Sequence, residues 1–267
     1  MAYDHTLFAV DAASHIATVT LNKPERLNAI DSGDMRDILD ICRRIQEDDD
    51  IWVAIWTGAG RGFCSGADVG RGPGAARPDP DLNQLLDETS WVSRQGEALY
   101  GIDKPMIAAV NGVAAGAGFS LALCCDVRIG SEAARFVTVF QERNLPPESG
   151  MSWLLPRIVG LSRALDLSMT SRRIEAEEAL RIGLLDRIVP AERLMEETVA
   201  YAESICALPP GAVRVSKRAV RRAMETSFHE ATQYETKMAG LARRARHDGE
   251  EARKAFAEKR PAKFSGR

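Results

Sequence analysis

A chain of 267 residues with 45% hydrophobic and 27% charged side chains can bury a full core, and its length predicts one large domain or one domain with an appendage. The 35 Lys and Arg residues nearly balance the 38 Asp and Glu residues, and the net charge of -3 argues against general nucleic-acid binding. The five cysteines, an odd number without the spacing of a metal site, are typical of a reducing cytosol, so we expect a cytoplasmic protein without a metal.

The N-terminal part predicts a strand, a helix and a second strand. Its first residues, MAYDHTLFAV, lack the basic region and the apolar core of a secretory signal. His15–Leu21 is rich in β-branched residues, as strands are, and residues 51–57 (IWVAIWT) predict a strand that is covered on both faces. Between them, Asp31 or Ser32 can cap a helix with one apolar stripe, formed by Ile38, Ile41, Cys42 and Ile45.

The middle of the chain predicts a second unit of the same kind. Residues 71–81 (RGPGAARPDPD) predict a surface loop, since Gly, Pro and Asp disfavour regular structure. After it we expect a strand at 106–110, a helix at 116–125 and a strand at 126–129. The apolar stretch 106–125 is long enough for a membrane span, but it contains Asn111 and three glycines, so a strand, a turn and a buried helix explain it better.

The last third of the chain predicts mainly helices. They are expected at 164–169, at 175–180 and in a long run after Pro210, and Ile188 and Val189 form the last expected strand. From Arg214 to Arg267 the chain has 15 basic and 7 acidic residues. This basic end could meet phosphates, or it could be a solvated helical face beside acidic neighbours.

Two glycine clusters each follow a predicted strand, at residues 57–68 (TGAGRGFCSGAD) and 111–118 (NGVAAGAG). Neither fits the dinucleotide pattern GxGxxG, and neither has the lysine of a P-loop. Small residues at a helix start let a ligand approach the first amides, which are unpaired donors at a positive dipole end. Two such segments could each supply one N–H to an oxygen that gains negative charge, although small residues also permit tight packing.

These stretches resemble the enoyl-CoA hydratase/isomerase, or crotonase, family. The resemblance rests on HIATVTLNKPERLNAI, GRGFCSGADV, KPMIAAVNGVAAGAGFSLALCCDVRI, NLPPESGMSWLLPRIVG and RIEAEEALRIGLLDRIV, in the family's order from residue 15 to 189, and on the ending KFSGR. It implies an α/β fold, with a spiral core of ββα turns over residues 1–200 and a helical region over 201–267 that forms trimers or hexamers. It also implies an acyl-CoA thioester as substrate, no further cofactor, no nucleic acid and no membrane.

The resemblance also implies the positions of the site. The oxyanion amides map onto Ala67 and Ala117, where most members have glycine at the second position. Coenzyme A contacts map onto the Lys23–Leu27 loop, the segment that follows Phe63, and the C-terminal end. The substrate-binding residues implied in this way are Lys23, Arg26, Leu27, Cys64, Ser65, Gly66, Asp68, Val69, Gly116, Ser120, Phe140, Lys263 and Phe264. The last two could meet the coenzyme of the same subunit or of a neighbouring one.

The acid–base residues depart from the hydratase pattern. Hydratases of the family use two glutamates, and this chain has Ser120 and Phe140 at those positions. Glu142 is two residues beyond the second position, so we expect it to point elsewhere. Among the other polar residues, Asp68 is expected to be a structural cap, Cys64 a packing residue and Ser120 an ordinary helix residue, and no histidine lies near the glycine clusters.

Members that shift double bonds, and the aroyl-CoA dehalogenases, place an aspartate where this chain has Glu148. A partly desolvated carboxylate there could remove a proton and return it, so one base suffices for an isomerisation. The resemblance therefore favours an enoyl-CoA isomerase with Glu148, Ala67 and Ala117 as catalytic residues. A hydratase, a thioester hydrolase or dehalogenase, and a non-catalytic acyl-CoA-binding protein are the alternatives. Glu148 could instead be an acid that the dipole of the following helix favours.

Overall fold

A computed structural model of the chain describes residues 3–68, 82–86, 89 and 91–267, with only the backbone at residues 83, 84, 91 and 92. The loop expected at 71–81 and the expected contact residue Val69 lie outside these residues. The strands are β1 (Thr6–Asp11), β2 (Ile16–Leu21), β3 (Val53–Gly58), β4 (Gly62–Cys64), β5 (Met106–Val110), β6 (Val113–Ala115), β7 (Val127–Ser131), β8 (Arg135–Val137), β9 (Ile174–Glu175) and β10 (Arg187–Val189). The helices are α1 (Ser32–Glu47), α2 (Leu82–Leu85), α3 (Trp91–Gly101), α4 (Ala117–Cys124), α5 (Met151–Val159), α6 (Leu161–Thr170), α7 (Ala176–Arg181), α8 (Leu194–Cys206), α9 (Pro210–Ala223), α10 (Phe228–Ala242) and α11 (Arg246–Glu258).

The strands form two sheets that the chain visits in turn. The larger sheet has the order β1-β2-β3-β5-β7-β10, and the smaller one has the order β4-β6-β8-β9. Apart from the antiparallel β1–β2 and β8–β9 pairs, the neighbours are parallel. After β1 and β2, which both join the larger sheet, the pairs β3–β4, β5–β6 and β7–β8 each place one strand in the larger sheet and the next in the smaller sheet before a helix follows. The fold is an α/β spiral of ββα turns.

The long periodic elements agree with the sequence-based expectation. β3 is buried along its whole length, as expected for a strand covered on both faces. α1 starts with a capping box in which the Asp31 and Asp34 side chains satisfy each other's backbone N–H groups, and its stripe Ile38, Ile41, Cys42 and Ile45 is buried.

The expectation that each glycine cluster leads from a strand directly into a helix was incomplete. The first contains β4 and the second contains β6, each of three residues. Furthermore, Ala67 lies in an isolated β-bridge with Ile30, so of the two predicted donors only Ala117 begins a helix in the described part of the chain. Three residues are too few for an alternating pattern to be visible in a sequence.

α4 is an interior helix. All of its residues are buried, which explains why its sequence has no polar face. None of the helices that the structure describes combines the length and the apolar composition that crossing a bilayer requires.

The C-terminal helices use their positive charges within the chain. Along α9, Arg214 and Arg218 bind Asp103, and Lys217 and Arg221 bind Asp126. Part of the basic excess after residue 214 is thus paired with acidic neighbours on the spiral core. The domain boundary expected at residue 200 stays a prediction. This position lies inside α8, whose Leu194 and Ala202 pack against the larger sheet.

Candidate active site

The two glycine clusters lie directly against each other. A Cβ atom on Gly66 would lie 2.7 Å from the Ala115 carbonyl oxygen and 3.3 Å from the Ala117 nitrogen. Gly66 also has a φ of +95°, which other residues rarely adopt. A Cβ on Gly118 would overlap the Cys64 backbone. The absence of side chains at these two positions therefore allows the segment around Ala67 to approach the start of α4.

The N–H groups of Ala67 and Ala117 share one feature, which is the lack of a backbone acceptor among the described residues. Ala117 is the first residue of α4 after the N-cap Gly116, so its N–H has no acceptor within the helix. At Ala67, the neighbouring Gly66 carbonyl and Asp68 N–H form the bridge to Ile30, at 2.8 Å each. Among the described residues, neither N–H donates to a backbone carbonyl.

The predicted coenzyme loop is bound to the Ala67 segment. The Ser65 N–H donates to the Leu27 carbonyl at 2.9 Å, and the Ser65 hydroxyl donates to the Arg26 carbonyl at 3.1 Å. Arg26 also forms an ion pair of 2.8 Å with Asp68. The structure thus brings together Arg26, Leu27, Ser65 and Asp68, four residues expected to contact the substrate.

Lys23 does not present its charge to a ligand. Its ammonium group is buried and binds Asp31 at 3.1 Å and Asp34 at 2.5 Å. Burial alone would lower the pKa of Lys23, but these hydrogen bonds outweigh it and raise the pKa. Together with His5, the two aspartates bring three ligand atoms within 4.8 Å, but the Lys23 ammonium already supplies their positive partner. The Lys23 ammonium group therefore forms a structural ion pair, and a coenzyme contact by this residue stays a prediction.

Two asparagines that sequence reasoning missed hold the turn between β3 and β4. The Asn28 amide donates to the Ala59 carbonyl at 3.0 Å and to the Gly62 carbonyl at 2.8 Å. The Asn111 amide donates to the carbonyls of Gly58 and Gly60, both at 2.9 Å. Asn28 has a φ of +57°, so the left-handed preference of asparagine in the stretch LNAI was the available signal.

Glu148 is held beside α4. Ser120 lies about one helical turn after Ala117 in α4. Its fully buried hydroxyl donates a hydrogen bond of 2.9 Å to the backbone carbonyl of Glu148. The Glu148 side chain is half-buried, and burial raises its pKa. α5 begins only at Met151, with Gly150 as its N-cap and without a side-chain cap.

Neither of the two hydratase positions, Ser120 and Phe140, carries a carboxylate. Phe140 is buried, and its ring is 3.8 Å from the point where a Cβ on Gly116 would lie. Glu142 is exposed and lines a cavity of about 630 Å³, whose wall also includes Leu27, Arg61, Ala115 and Arg173. Burial raises the pKa of the Cys64 thiol to about 12, so the thiol is uncharged at neutral pH and the residue serves as a packing residue.

Gln95 of α3 is a further neighbour that the sequence did not reveal. Its side chain is fully buried and donates to the Ala117 carbonyl at 3.4 Å. Its own carbonyl oxygen has no hydrogen-bond partner among the described residues. Gln95 therefore braces the first turn of α4 from the side of α3.

The C-terminal residues are not brought to this site within one chain. The Lys263 N–H donates to Glu251 at 2.8 Å, and a Cβ on Gly266 would lie 3.8 Å from the Trp52 ring. Trp52 lies just before the first residue of β3. The Ala67 segment comes after the last residue of this strand, Gly58. The six residues of β3 separate these ends by about 20 Å. Within one chain, Lys263 and Phe264 are therefore not brought to the Ala67 segment, and their contact with a neighbouring subunit stays a prediction.

Comparison with known proteins identifies the family of this chain. The model of the family described as enoyl-CoA hydratase/isomerase matches residues 11–267. The 1,2-epoxyphenylacetyl-CoA isomerase of Escherichia coli is 34% identical over 94% of this chain and 95% of that protein. The short-chain-enoyl-CoA hydratase of Clostridium acetobutylicum is 35% identical over 92% of each chain.

The solved structures agree with the sequence relatives. The crystal structure of an enoyl-CoA hydratase from Bacillus anthracis superposes with a TM-score of 0.88 at 32% identity, over 97% of this chain and 99% of that chain. The family match and the shared spiral lead to one conclusion. This chain belongs to the enoyl-CoA hydratase/isomerase family of acyl-CoA enzymes, and its fold is the crotonase fold.

Proposed function

We propose that this enzyme shifts the double bond of an enoyl-CoA thioester, with Glu148 as its single acid–base group. The N–H groups of Ala67 and Ala117 bind the thioester oxygen. The observation that carries the proposal is the set of residues around α4. Ser120 and Phe140, at the two hydratase positions, are buried and carry no carboxylate, while the half-buried Glu148 is held one turn from Ala117.

The proton balance of this reaction needs only one carboxylate. Glu148 removes a proton from the carbon α or γ to the thioester carbonyl, and the electron pair moves onto the thioester oxygen as a dienolate. The two N–H groups stabilise that charge, each by roughly 3 to 4 kcal/mol in comparable sites. The protonated Glu148 then returns the same proton to the other carbon. Desolvation supports this cycle, since it raises the pKa of Glu148 toward the range in which a carboxylate can both take and give a proton.

The contacts of the Arg26–Leu27 turn support the proposed position of the coenzyme part of the substrate. The Arg26–Leu27 turn is fixed to Ser65 beside Ala67, so an acyl-CoA thioester would follow this turn to reach the two N–H groups. Arg26 is half-exposed and could meet a phosphate group. The coenzyme is part of the substrate, and the proposed reaction involves no further cofactor.

A hydratase is the second candidate, because relatives such as the Clostridium protein are named hydratases. Hydration would need a positioned water and proton delivery from the one carboxylate. The 1,2-epoxyphenylacetyl-CoA isomerase shows by its name that a relative at 34% identity is an isomerase. We favour isomerisation because Ser120 and Phe140 stand where hydratases of the family have glutamates.

The proposal is tested by incubating the enzyme with a 3-enoyl-CoA and a 2-enoyl-CoA and identifying the products. Interconversion of the two is the expected result. Formation of 3-hydroxyacyl-CoA would favour the hydratase, free CoA a hydrolase, and binding without product a non-catalytic protein.

We expect Glu148→Gln to reduce interconversion by at least about 100-fold, because general acid–base groups contribute factors of that size. The affinity for free CoA should stay unchanged, since the carboxylate acts on the acyl end. Glu142→Gln is the matched control on an exposed glutamate and should keep wild-type activity. Full activity of a folded Glu148→Gln variant would remove Glu148 from the mechanism.

A further inference from the structure

A cavity of about 310 Å³ opens between α3, α5 and the turn that joins α9 to α10. This volume lies at the lower end of the range found for small-molecule binding sites. Its wall is formed by Gly96, Tyr100, Cys124, Gly150, Trp153 and Leu154, and its polar members are Ser93, Glu97 and Glu225. The wall is thus mostly apolar, with two aromatic rings.

The cavity lies beyond Glu148 along α4. Cys124 follows Ser120 by four residues, so both point from one face of the helix. Ser120 holds the Glu148 carbonyl, and Gly150 follows Glu148 by two residues. The seven residues from Ala117 to Cys124 correspond to about 10 Å along the helix axis. The cavity therefore begins about one turn past the Glu148 carbonyl, on the side away from the two N–H groups.

The two rings form a fixed aromatic corner. The Tyr100 and Trp153 centroids are 5.3 Å apart at 72°, which is an edge-to-face pair. Arg157 lies 3.8 Å from the Trp153 centroid, and Arg221 lies 4.3 Å from the Tyr100 centroid. Each ring is thus held by a stacked arginine, so a ligand finds the corner already formed.

We propose that this cavity binds an aromatic ring at the far end of the acyl group, and that the enzyme acts on aryl-substituted acyl-CoA thioesters. This inference rests on the proposed function, which puts the thioester oxygen at Ala67 and Ala117. From there, an acyl group that passes Glu148 enters the cavity about 10 Å on, whereas a butanoyl group ends short of it. A third ring against Tyr100 and Trp153 gains edge-to-face contacts that an alkyl chain lacks.

The test compares the binding of saturated thioesters, which the proposed isomerisation cannot convert. 4-Phenylbutanoyl-CoA and decanoyl-CoA have equal numbers of acyl carbons, and butanoyl-CoA measures the contribution of the rest of the site. We expect titration calorimetry to show about 2- to 10-fold tighter binding of the phenyl compound than of decanoyl-CoA, the size of an aromatic pair contribution. Each thioester is checked for intactness at the end of the titration.

Variants locate the preference in the cavity. Trp153→Leu and Tyr100→Leu should remove it while leaving the affinity for butanoyl-CoA unchanged. Tyr201→Leu is the matched control, because Tyr201 also stacks with an arginine, at 4.8 Å, but belongs to α8 and does not line the cavity.

The outcomes separate this inference from the proposed function. Equal affinity for the two ten-carbon thioesters, or a preference that survives in the folded Trp153→Leu and Tyr100→Leu variants, would overturn the aryl site. A preserved preference in a protein that does not interconvert enoyl-CoA isomers would overturn only the isomerase.

Discussion

At the scale of single residues, the proposed chemistry uses two backbone N–H groups and one side chain, and mutation removes these two kinds of group with very different ease. The Ala117 N–H survives every side-chain replacement except proline, whereas the Glu148 carboxylate is removed by one conservative change. Both were predicted from short, local motifs, and their catalytic roles stay predictions. Sequence reasoning could not predict that Lys23 is buried, since its partners Asp31 and Asp34 come close only when α1 starts with its capping box.

Ala117→Pro tests the backbone donor. Ala117 is the first residue of α4, a position where proline is tolerated, so the helix should form without the N–H. We expect the kcat of interconversion to fall by about 100- to 1,000-fold, as when one oxyanion donor is lost. Ala117→Ser keeps the N–H and is the control. Circular dichroism establishes folding, and a folded proline variant with full activity would argue against the oxyanion hole.

The raised pKa of Glu148 gives the reaction a pH dependence of known sign. The base must be ionised in the free enzyme, so kcat/KM should rise with pH through the pKa of Glu148. Because burial raises that pKa, the midpoint should lie above about 4.3, the usual value for glutamate. Rates measured across the acid range check this. A midpoint at or below the usual value would mean that another group limits the rate.

At the scale of elements, α9 is attached to the spiral core by ion pairs rather than by a broad apolar face. Pro210 is the only buried residue of α9. Arg214 and Arg218 of this helix both form ion pairs with Asp103 of the core. The long elements could be predicted from period and caps, but β4, β6 and β8 could not, since three residues carry no period. Their pairing depends on the larger sheet being in place, which is information from the whole fold.

Asp103→Asn tests the attachment of α9. Burial would raise the pKa of Asp103, but the bonds from Arg214 and Arg218 outweigh it and lower the pKa. The variant should lose about 2 kcal/mol in the free energy of unfolding, because two arginines lose their shared charged partner. Since the folded pKa is lowered, this contribution is present above about pH 4, the unfolded value, and fades as the pH falls further.

Urea unfolding at neutral and acid pH measures the effect of Asp103→Asn. Glu47→Gln removes an exposed i,i+4 pair with Arg43 and should cost less than about 0.5 kcal/mol. Equal losses in the two variants would show that α9 does not depend on Asp103.

At the scale of the whole molecule, the C-terminal helices leave large apolar side chains in contact with solvent. Phe228 is 86% exposed and Phe256 is 88% exposed in the single chain. Exposed apolar groups of this size are typical of surfaces that associate. They support the proposal that the chain assembles as a trimer or hexamer.

We expect the double variant Phe228→Asp, Phe256→Asp to shift the mass measured by light scattering toward the monomer. A charged group at such a contact would have to be desolvated when the subunits associate. Leu7→Asp, on the exposed face of β1, is the control. An unchanged mass in the double variant would exclude these two rings from the contact between subunits.

The position of Gly266 beside Trp52 has a genetic consequence. If Lys263 and Phe264 serve only a neighbouring copy, a chain that lacks the Glu148 carboxylate can still lend its tail, and a chain with an altered tail can still lend its carboxylate. Two alleles that are each defective alone would then complement one another when expressed together, through the mixed oligomers in which an intact pocket meets an intact tail.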